Sequence, residues 1–369
     1  MPAVWSPDTL LHEPGGEVWV GVSTPGTEVP ERVEVIRDAL AAAGHELVKA
    51  VRHDVAADAP AARTPVTSTH FTSTPVHDPR LLTHLRDVHA EWIAAGFAED
   101  PGQDRVVPYF FPTTGMLGPL PVHRAAAVHA RAGQFCYDTM TLVGPGTYPA
   151  ARAAVDCALT AVDLVRHGTQ AAYALCRPPG HHVTREAYGG SCYLNNAALA
   201  AQRFCDHGAG KVAVIDLDAH HGNGTAAIFY ERGDVFYGSV HVDPAAGWFP
   251  HVVGFADETG SGEGAGSTRN EPLPTGSADA VWCEAVTRLV DSIATFAAEA
   301  VVVSLGVDAA ADDPESPLLV SADGYRTAGR MLGQLGLPSV VVQEGGYHLP
   351  SLGGLVCAYL DGHASGGET

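Results

Sequence analysis

Three side chains with metal-binding chemistry follow one short apolar run in this sequence. Lys211–Gly224 reads KVAVIDLDAHHGNG, and Val212–Ile215 is a β-branched, apolar stretch of the kind that forms a buried strand. Asp216, Asp218 and His220 come next. Residues two apart on a strand share a face, so these three would point one way at the strand's carboxyl end. Two carboxylates and an imidazole brought together out of water need a cation to balance them. Aspartate oxygen with histidine nitrogen is a normal ligand set for zinc or a similar divalent ion.

Other reactive residues stand just after other apolar runs. His181 and His182 follow Ala171–Cys176 in the stretch RPPGHH, and Ser239 and His241 follow Val235–Gly238. Asp308 comes after Val301–Leu305, and QEGGY, ending in Tyr347, comes after Val340–Val342. Asp218, His220 and Asp308 supply the three protein ligands of a catalytic zinc, with a fourth position open. Such an ion lowers the pKa of water to about 7 and polarises a carbonyl. The tandem histidines offer a base for the water proton and an acid for a leaving amine. Tyr347, on a Gly-Gly turn, offers a hydrogen bond to a developing oxyanion. Together these are the parts of an amide hydrolase.

The elements that must position them read as a repeating strand–loop–helix pattern from residue 150 onward. The pattern predicts helices over 150–166, 195–206, 225–230, 277–299 and 322–335, and one after Leu349. Strands fall at 171–176, 211–216, 235–240, 300–305 and 339–342. Apolar strands without alternation, each followed by a helix, imply a parallel sheet covered on both faces, an α/β three-layer αβα architecture. Ligands of such sheets bind beyond the strand carboxyl ends, which is where the reactive residues lie. Before residue 150 the sequence predicts a loop-like start over 1–30 with a short strand at 18–22. It then predicts helices at 31–43 and 79–95, a strand at 46–51 and a Ser/Thr/Pro loop at 64–78. Residues 96–149, rich in proline, glycine and aromatics, read as a long loop insert shaping the site or a subunit contact. The whole span 1–369 reads as one catalytic domain.

Composition narrows the function classes. The 42 acidic residues against 21 basic ones give a net charge of −21, a field that repels nucleic acid and attracts cations such as amines. No apolar run is long enough to cross a bilayer. Seven cysteines without a C-x-x-C pair point away from a disulfide framework and toward a reducing compartment, the cytoplasm.

RPPGHH, DLDAHHGNGT, SLGVDAAADDP and QEGGY resemble, in order and spacing, the signature blocks of the histone deacetylase superfamily. The likeness runs from about His12 to Gly362. HHGNGT, the N-terminal HEPGGEVW and the DPAAGWFP–FADETGSGEG loop are most similar to class II and bacterial acetylpolyamine amidohydrolase members. The resemblance implies the arginase–deacetylase fold, with Zn²⁺ on Asp218, His220 and Asp308 and Fe²⁺ as the alternative ion. It implies catalytic roles for His181, His182 and Tyr347. It also implies a K⁺ site built from Asp216, Asp218, His220, Ser239 and Val240. Asp216 would pair with His181, and Asn223 with His182. Because a carboxylate favours imidazolium more than an amide does, His182 is expected to be the neutral base and His181 mainly electrostatic. Phe249 holds a tunnel-lining position and Gly190 the position whose carbonyl accepts the scissile N–H. The opposite wall, usually aromatic in the family, is Ser191 here, which would loosen the grip on a slim alkyl chain.

The expected substrate is a small N-acetylated amine such as an acetylpolyamine, with neither nucleic acid nor membrane as partner and a homodimer as the assembly. Three rival readings are a protein acetyl-lysine deacetylase, a binuclear ureohydrolase and an inactive binder of acetylated ligands. Gly306 and Gly222 stand where a ureohydrolase would need further carboxylates. Retention of both histidines and Tyr347 speaks against an inactive binder.

Overall fold

The computed structural model describes residues 1–54 and 76–367. In chain order it begins with β1 (Ala3–Trp5), the short strands β2 (Glu17–Trp19) and β3 (Val22–Thr24), α1 (Glu31–Ala42) and β4 (Leu47–Lys49). Then come α2 (Pro79–Ala94), α3 (Thr114–Leu117), α4 (Val128–Phe135), α5 (Thr147–Arg166), β5 (Ala171–Ala174) and α6 (Asn196–Asp206). They are followed by β6 (Val212–Asp216), α7 (Asn223–Phe229), β7 (Val235–Val242), β8 (Thr268–Leu273) and α8 (Asp279–Phe296). The chain closes with β9 (Ala300–Leu305), α9 (Ala322–Gly333), β10 (Ser339–Gln343) and α10 (Leu349–Gly366).

Eight strands form one sheet in the order β4-β1-β5-β10-β9-β6-β7-β8, and every neighbouring pair is parallel. Side chains on the central strands alternate between two apolar layers. Val301, Val303 and Leu305 pack with Ala213 and Ile215 against α1, α8, α9 and α10. Ala300 and Val302 pack with Val212 and Val214 against α5, α6 and α7. Because both faces are covered, the central strands carry apolar residues on both faces, as in Val212–Ile215 and Val301–Val303. A third cluster, beneath α2 and α4, includes Leu85, Trp92, Val155, Tyr188 and Tyr193.

The three-layer α/β expectation is met, and several local expectations are corrected. The opening residues are not loop throughout, because Ala3–Trp5 lies inside the sheet between β4 and β5. The expected strand at 18–22 is an antiparallel hairpin, turning at Val20 and Gly21, where φ is +48° and +80°. Residues 96–149 contain α3 and α4, and α5 begins at Thr147, with Pro149 in its first turn, where a missing N–H costs nothing. Between the expected strand at 235–240 and the expected helix at 277–299 lies a further strand, β8, the sheet edge, where Pro272 is tolerated. The Ser/Thr/Pro loop falls mainly on residues 64–75, outside the described residues.

Candidate active site

Parallel pairing places the ends of β5, β6, β9 and β10 on one side of the sheet, and the chemistry is gathered there. His181 and His182 lie in the loop after β5, and Asp218 and His220 in the turn between β6 and α7. Asp308 follows β9, and Tyr347 follows β10. One ligand atom each from Asp218, His220 and Asp308 falls within a 4.8 Å cluster. His220 Nδ1 is 3.1 Å from Asp218 Oδ1 and 2.9 Å from Asp308 Oδ2. The ligand that sequence places farthest away, Asp308, is held by the Ala219 N–H at 2.8 Å. The Gly345 N–H donates to Asp218 Oδ2 at 2.8 Å.

Both aspartates are fully enclosed, and their mutual repulsion shows in their protonation. Burial and then the Asp218 charge push Asp308 up to about 8. Two carboxylates and an imidazole that hold each other this way form a donor set that fits a divalent cation. Gly306 and Gly222 have no room for further carboxylates. A Cβ at Gly306 would collide with the Asp218 carboxylate, and one at Gly222 would collide with that of Asp216.

The two histidines occupy different environments 4.0 Å apart, centroid to centroid. His181 Nδ1 lies 3.0 Å from Asp216 Oδ2, and its Nε2 lies 3.8 Å from Asp218 Oδ1. Burial opposes its charge, but Asp218 and Asp216 outweigh burial and raise it to about 10. A cation on Asp218 would take up much of that carboxylate's field and leave Asp216 as the partner. His182 Nδ1 lies 2.7 Å from Asn223 Oδ1, which fixes the proton on Nδ1 and leaves Nε2 as an acceptor. Burial first, then the charges of His181 and His220, hold His182 well below its ordinary value.

His182, not His181, faces a cavity of about 380 Å³ that His220, Gly190, Ser191, Phe249 and Tyr347 also line. Phe249 stands nearly perpendicular to the His182 ring, 4.8 Å away. Tyr347 is held from behind: its N–H donates to Asp313 Oδ2 at 2.6 Å, and the Arg32 guanidinium sits 4.8 Å from its ring centroid. Arg32 also donates to the carbonyls of Glu344 and Gly346, both at 2.6 Å. Its charge is balanced by buried Glu28, which also accepts two bonds from Arg177.

Asp216 and Ser239 are opposite partners in the β6–β7 register, next to Val240. Asp216 Oδ1 accepts from the Asp218 N–H, and Ser239 Oγ is 2.8 Å from His241 Nδ1. A carboxylate, a hydroxyl and strand-end carbonyls form an oxygen donor set suited to a monovalent ion.

Sequence reasoning missed the mouth of the cavity. Glu17 and Trp19 from β2, Met140, Trp248 and Glu315 all line it. They come from β2 and three separate loops, so only folding reveals them as a group. Glu315 Oε1 accepts from the Thr27 hydroxyl at 2.8 Å, and its backbone carbonyl accepts from Trp248 Nε1 at 3.2 Å. A larger cleft of about 1140 Å³ lies beside α7 and β8, but Asp218, Asp308, His182 and Tyr347 do not line it. Size alone therefore does not mark the site.

Known proteins resemble this chain over nearly its whole length. Residues 26–362 match the histone deacetylase domain. An acetylpolyamine amidohydrolase of Mycoplana ramosa is 40% identical over 365 residues, covering 99% of this chain and all of the relative. One from Burkholderia pseudomallei (strain 1710b) is 40% identical and covers 95% of each chain. The crystal structure of acetylpolyamine aminohydrolase from Burkholderia pseudomallei superposes with a TM-score of 0.88 at 38% identity, over 99% of each chain.

Proposed function

The chain belongs to the histone deacetylase family, and from that membership and the cavity just described we propose that it hydrolyses the amide of small N-acetylated amines of the acetylpolyamine class. One observation carries the choice of substrate. The cavity that holds His182, His220 and Tyr347 opens past two carboxylates, Glu17 and Glu315, which suit a cationic amine at the far end of the substrate.

Asp218, His220 and Asp308 would hold a Zn²⁺ ion, or Fe²⁺ in its place. Bound there, the ion supplies polarisation of the acyl carbonyl and a lowered pKa for water. His182 Nε2 takes the proton of the attacking water and passes it to the leaving nitrogen. His181, paired with Asp216, adds a fixed positive field beside the reacting carbonyl. The Tyr347 hydroxyl donates to the carbonyl oxygen as negative charge develops on it. The Gly190 carbonyl accepts the scissile N–H, and Phe249 forms one wall for the methylene chain. Asp216, Ser239 and the carbonyls of Asp218, His220 and Val240 would hold K⁺ behind the metal ligands.

The chain acts as one catalytic domain, and a second copy of it is the partner we assign to residues 96–149. Tyr109, Met116, Leu120 and Val122 in that segment are large apolar side chains left exposed. The seven free cysteines support a reducing compartment, the cytoplasm. Among the described residues no helix is long and apolar enough to cross a membrane.

The deciding assay compares N-acetylputrescine and N8-acetylspermidine with acetyl-lysine peptides, using zinc-loaded protein. The acetylpolyamines should be turned over with the higher kcat/KM, chelation should abolish turnover, and zinc should restore it. Tyr347→Phe should lower kcat by about 10²–10³ while leaving the zinc content unchanged. Full activity in metal-free protein would overturn the reading, and so would a preference for the peptides.

A further inference from the structure

Phe249 and the small Ser191 both line the cavity, as do Trp19, Trp248 and Tyr347, and the backbone holds Ser191 in place. Gly189–Cys192 is a tight turn closed by the Cys192 N–H on the Gly189 carbonyl at 3.1 Å. Gly190 and Ser191, its two central residues, both have φ of +59°. That pair of left-handed residues is the backbone of a type I′ turn. Gly190 has no alternative, because a Cβ there would run into the His182 ring and within 3.0 Å of Phe249. At the depth of His182 the passage is therefore a narrow slot between Gly190 and Phe249. One residue farther out, Ser191 faces it with only a hydroxymethyl group.

The turn is fastened so that it cannot move in to close the gap. Asp138 Oδ2 accepts the Gly190 N–H at 2.6 Å, and Thr141 Oγ1 accepts the Ser191 N–H at 2.8 Å. Thr141 Oγ1 donates to the same Asp138 carboxylate at 3.1 Å. Asp138 Oδ1 in turn accepts from the Met140 and Thr141 N–H groups, both at 2.9 Å. Tyr137 donates its hydroxyl to the His182 carbonyl at 2.8 Å, joining the brace to the catalytic loop. Ser191 and Met140 line the cavity together with Glu17, Trp19 and Thr24. Methionine adapts its shape to its neighbour, unlike a fixed ring. An unbranched methylene chain pressed against Phe249 would make few contacts with Ser191.

We propose that the site admits, beside unbranched acetylpolyamines, N-acylated cationic amines that are branched or cyclic just beyond the amide nitrogen, and that Ser191 is the residue that sets this width. The proposal rests on the amide-hydrolase reading above and specifies its substrate class. The bulk of the amine fills the side bounded by Ser191 and Met140. Its cation then lies toward Glu17 and Glu315, the two carboxylates of the mouth. An anionic branch such as a carboxylate is disfavoured there by the same pair.

The test measures kcat/KM of the zinc-loaded enzyme on N-acetylputrescine, which is linear, and on 4-acetamidopiperidine, whose cation sits on a ring. The wild-type protein should hydrolyse both, the ring amide within about 10-fold of the linear one. Ser191→Phe should lower the ring-to-linear ratio by roughly 10-fold or more, the scale on which a pocket discriminates by bulk. A phenylalanine at φ +59° is strained, so Met140→Phe, narrowing the gap from the neighbouring residue, is the second variant and should shift the ratio the same way. A wild-type enzyme that favours the linear substrate 10-fold or more overturns the width proposal but leaves the hydrolase reading in place. A ratio unmoved in both variants also overturns it. Turnover of neither substrate, with acetyl-lysine peptides hydrolysed instead, would instead count against the amine substrate itself.

Discussion

Glu17 is the residue whose chemistry depends most on its neighbours at the mouth. Burial, then the charges of Glu315, Asp138 and Glu28, raise its carboxyl from 4.5 to about 7. At pH 8 it is an anion facing the cavity, and at pH 6 it is mostly neutral. A polyamine nitrogen, with a pKa near that of lysine at about 10.4, remains cationic across that range. Only the protein partner of the ion pair titrates. The ratio of kcat/KM for N-acetylputrescine to that for the uncharged N-butylacetamide should therefore fall as pH drops through about 7. Taking the ratio removes the titration of the catalytic groups, which both substrates share. Glu17→Gln should flatten the ratio at its low-pH value, a loss of roughly 10-fold at pH 8 for an interaction of about 1.4 kcal/mol. A ratio that is already flat in the wild-type protein would remove Glu17 from amine recognition.

Elements carry the site because the residues after each strand are fixed by the sheet's register, and this is why so much was legible in the sequence. Asp216, Asp218 and His220 adjoin an apolar run that reads as a buried strand, but local pattern alone left a solvated loop open, and the reactive residues at the other strand ends decided for a site. Asp308 and Tyr347 required the further step that all the strands run parallel. What local pattern could not show were elements whose identity comes from their neighbours. β1 is three residues long and reads as loop until β4 and β5 flank it. β8 contains Arg269, Glu271 and Pro272, which a central strand would not accept. Glu17, Asp138 and Glu315 lie far apart in sequence and have no strand-end position to mark them. α6 shows how one element joins two loops of the site. Its cap, Asn195, accepts the Ala198 N–H and donates its own N–H to His77 Nε2 at 2.9 Å, while His77 Nδ1 bonds the Thr184 carbonyl at 3.0 Å. That geometry requires neutral imidazole, and burial lowers His77 to about 4. Unfolded chain binds the proton near 6.5 and native protein does not. This contribution is thus complete above about pH 6.5 and is lost as pH falls toward 4, on the order of 3 kcal/mol over the window. Urea midpoints measured at pH 7.5 and pH 5 should differ, and His77→Gln, which keeps an acceptor for Asn195, should reduce that difference. An equal pH dependence in the variant would place the acid sensitivity elsewhere.

At the scale of the whole molecule, charge and apolar exposure oppose each other. Each chain carries a net charge of −21, so two copies repel at long range. Yet Tyr109 is 72% exposed, Leu120 67% and Val122 61%, all within residues 96–149. The β2–β3 hairpin, whose Glu17 and Trp19 line the mouth, leaves Val20 80% exposed. The hairpin is tied to that segment, since Val18 and Thr139 exchange two hydrogen bonds. Apolar side chains of this number on a strongly acidic surface are best covered by another copy that brings the same patch, through an interface of at least about 1,000 Å². Such a contact is driven by burial and opposed by charge, so screening should strengthen it. Sedimentation equilibrium should show a dimer whose dissociation constant falls as salt rises from about 50 mM to 500 mM, opposite to an assembly held by ion pairs. Leu120→Glu should shift the equilibrium toward monomer by roughly 10-fold or more, since it places a charge in the contact at a cost of at least about 1.4 kcal/mol. Because the segment that the proposed dimer would cover is joined through the hairpin to Glu17, the monomeric variant should also show a raised KM for acetylpolyamines, with kcat changed less. A wild-type protein that stays monomeric at micromolar concentration in both salts, with its acetylpolyamine turnover intact, would detach residues 96–149 from assembly and leave the mouth to be shaped by a single chain.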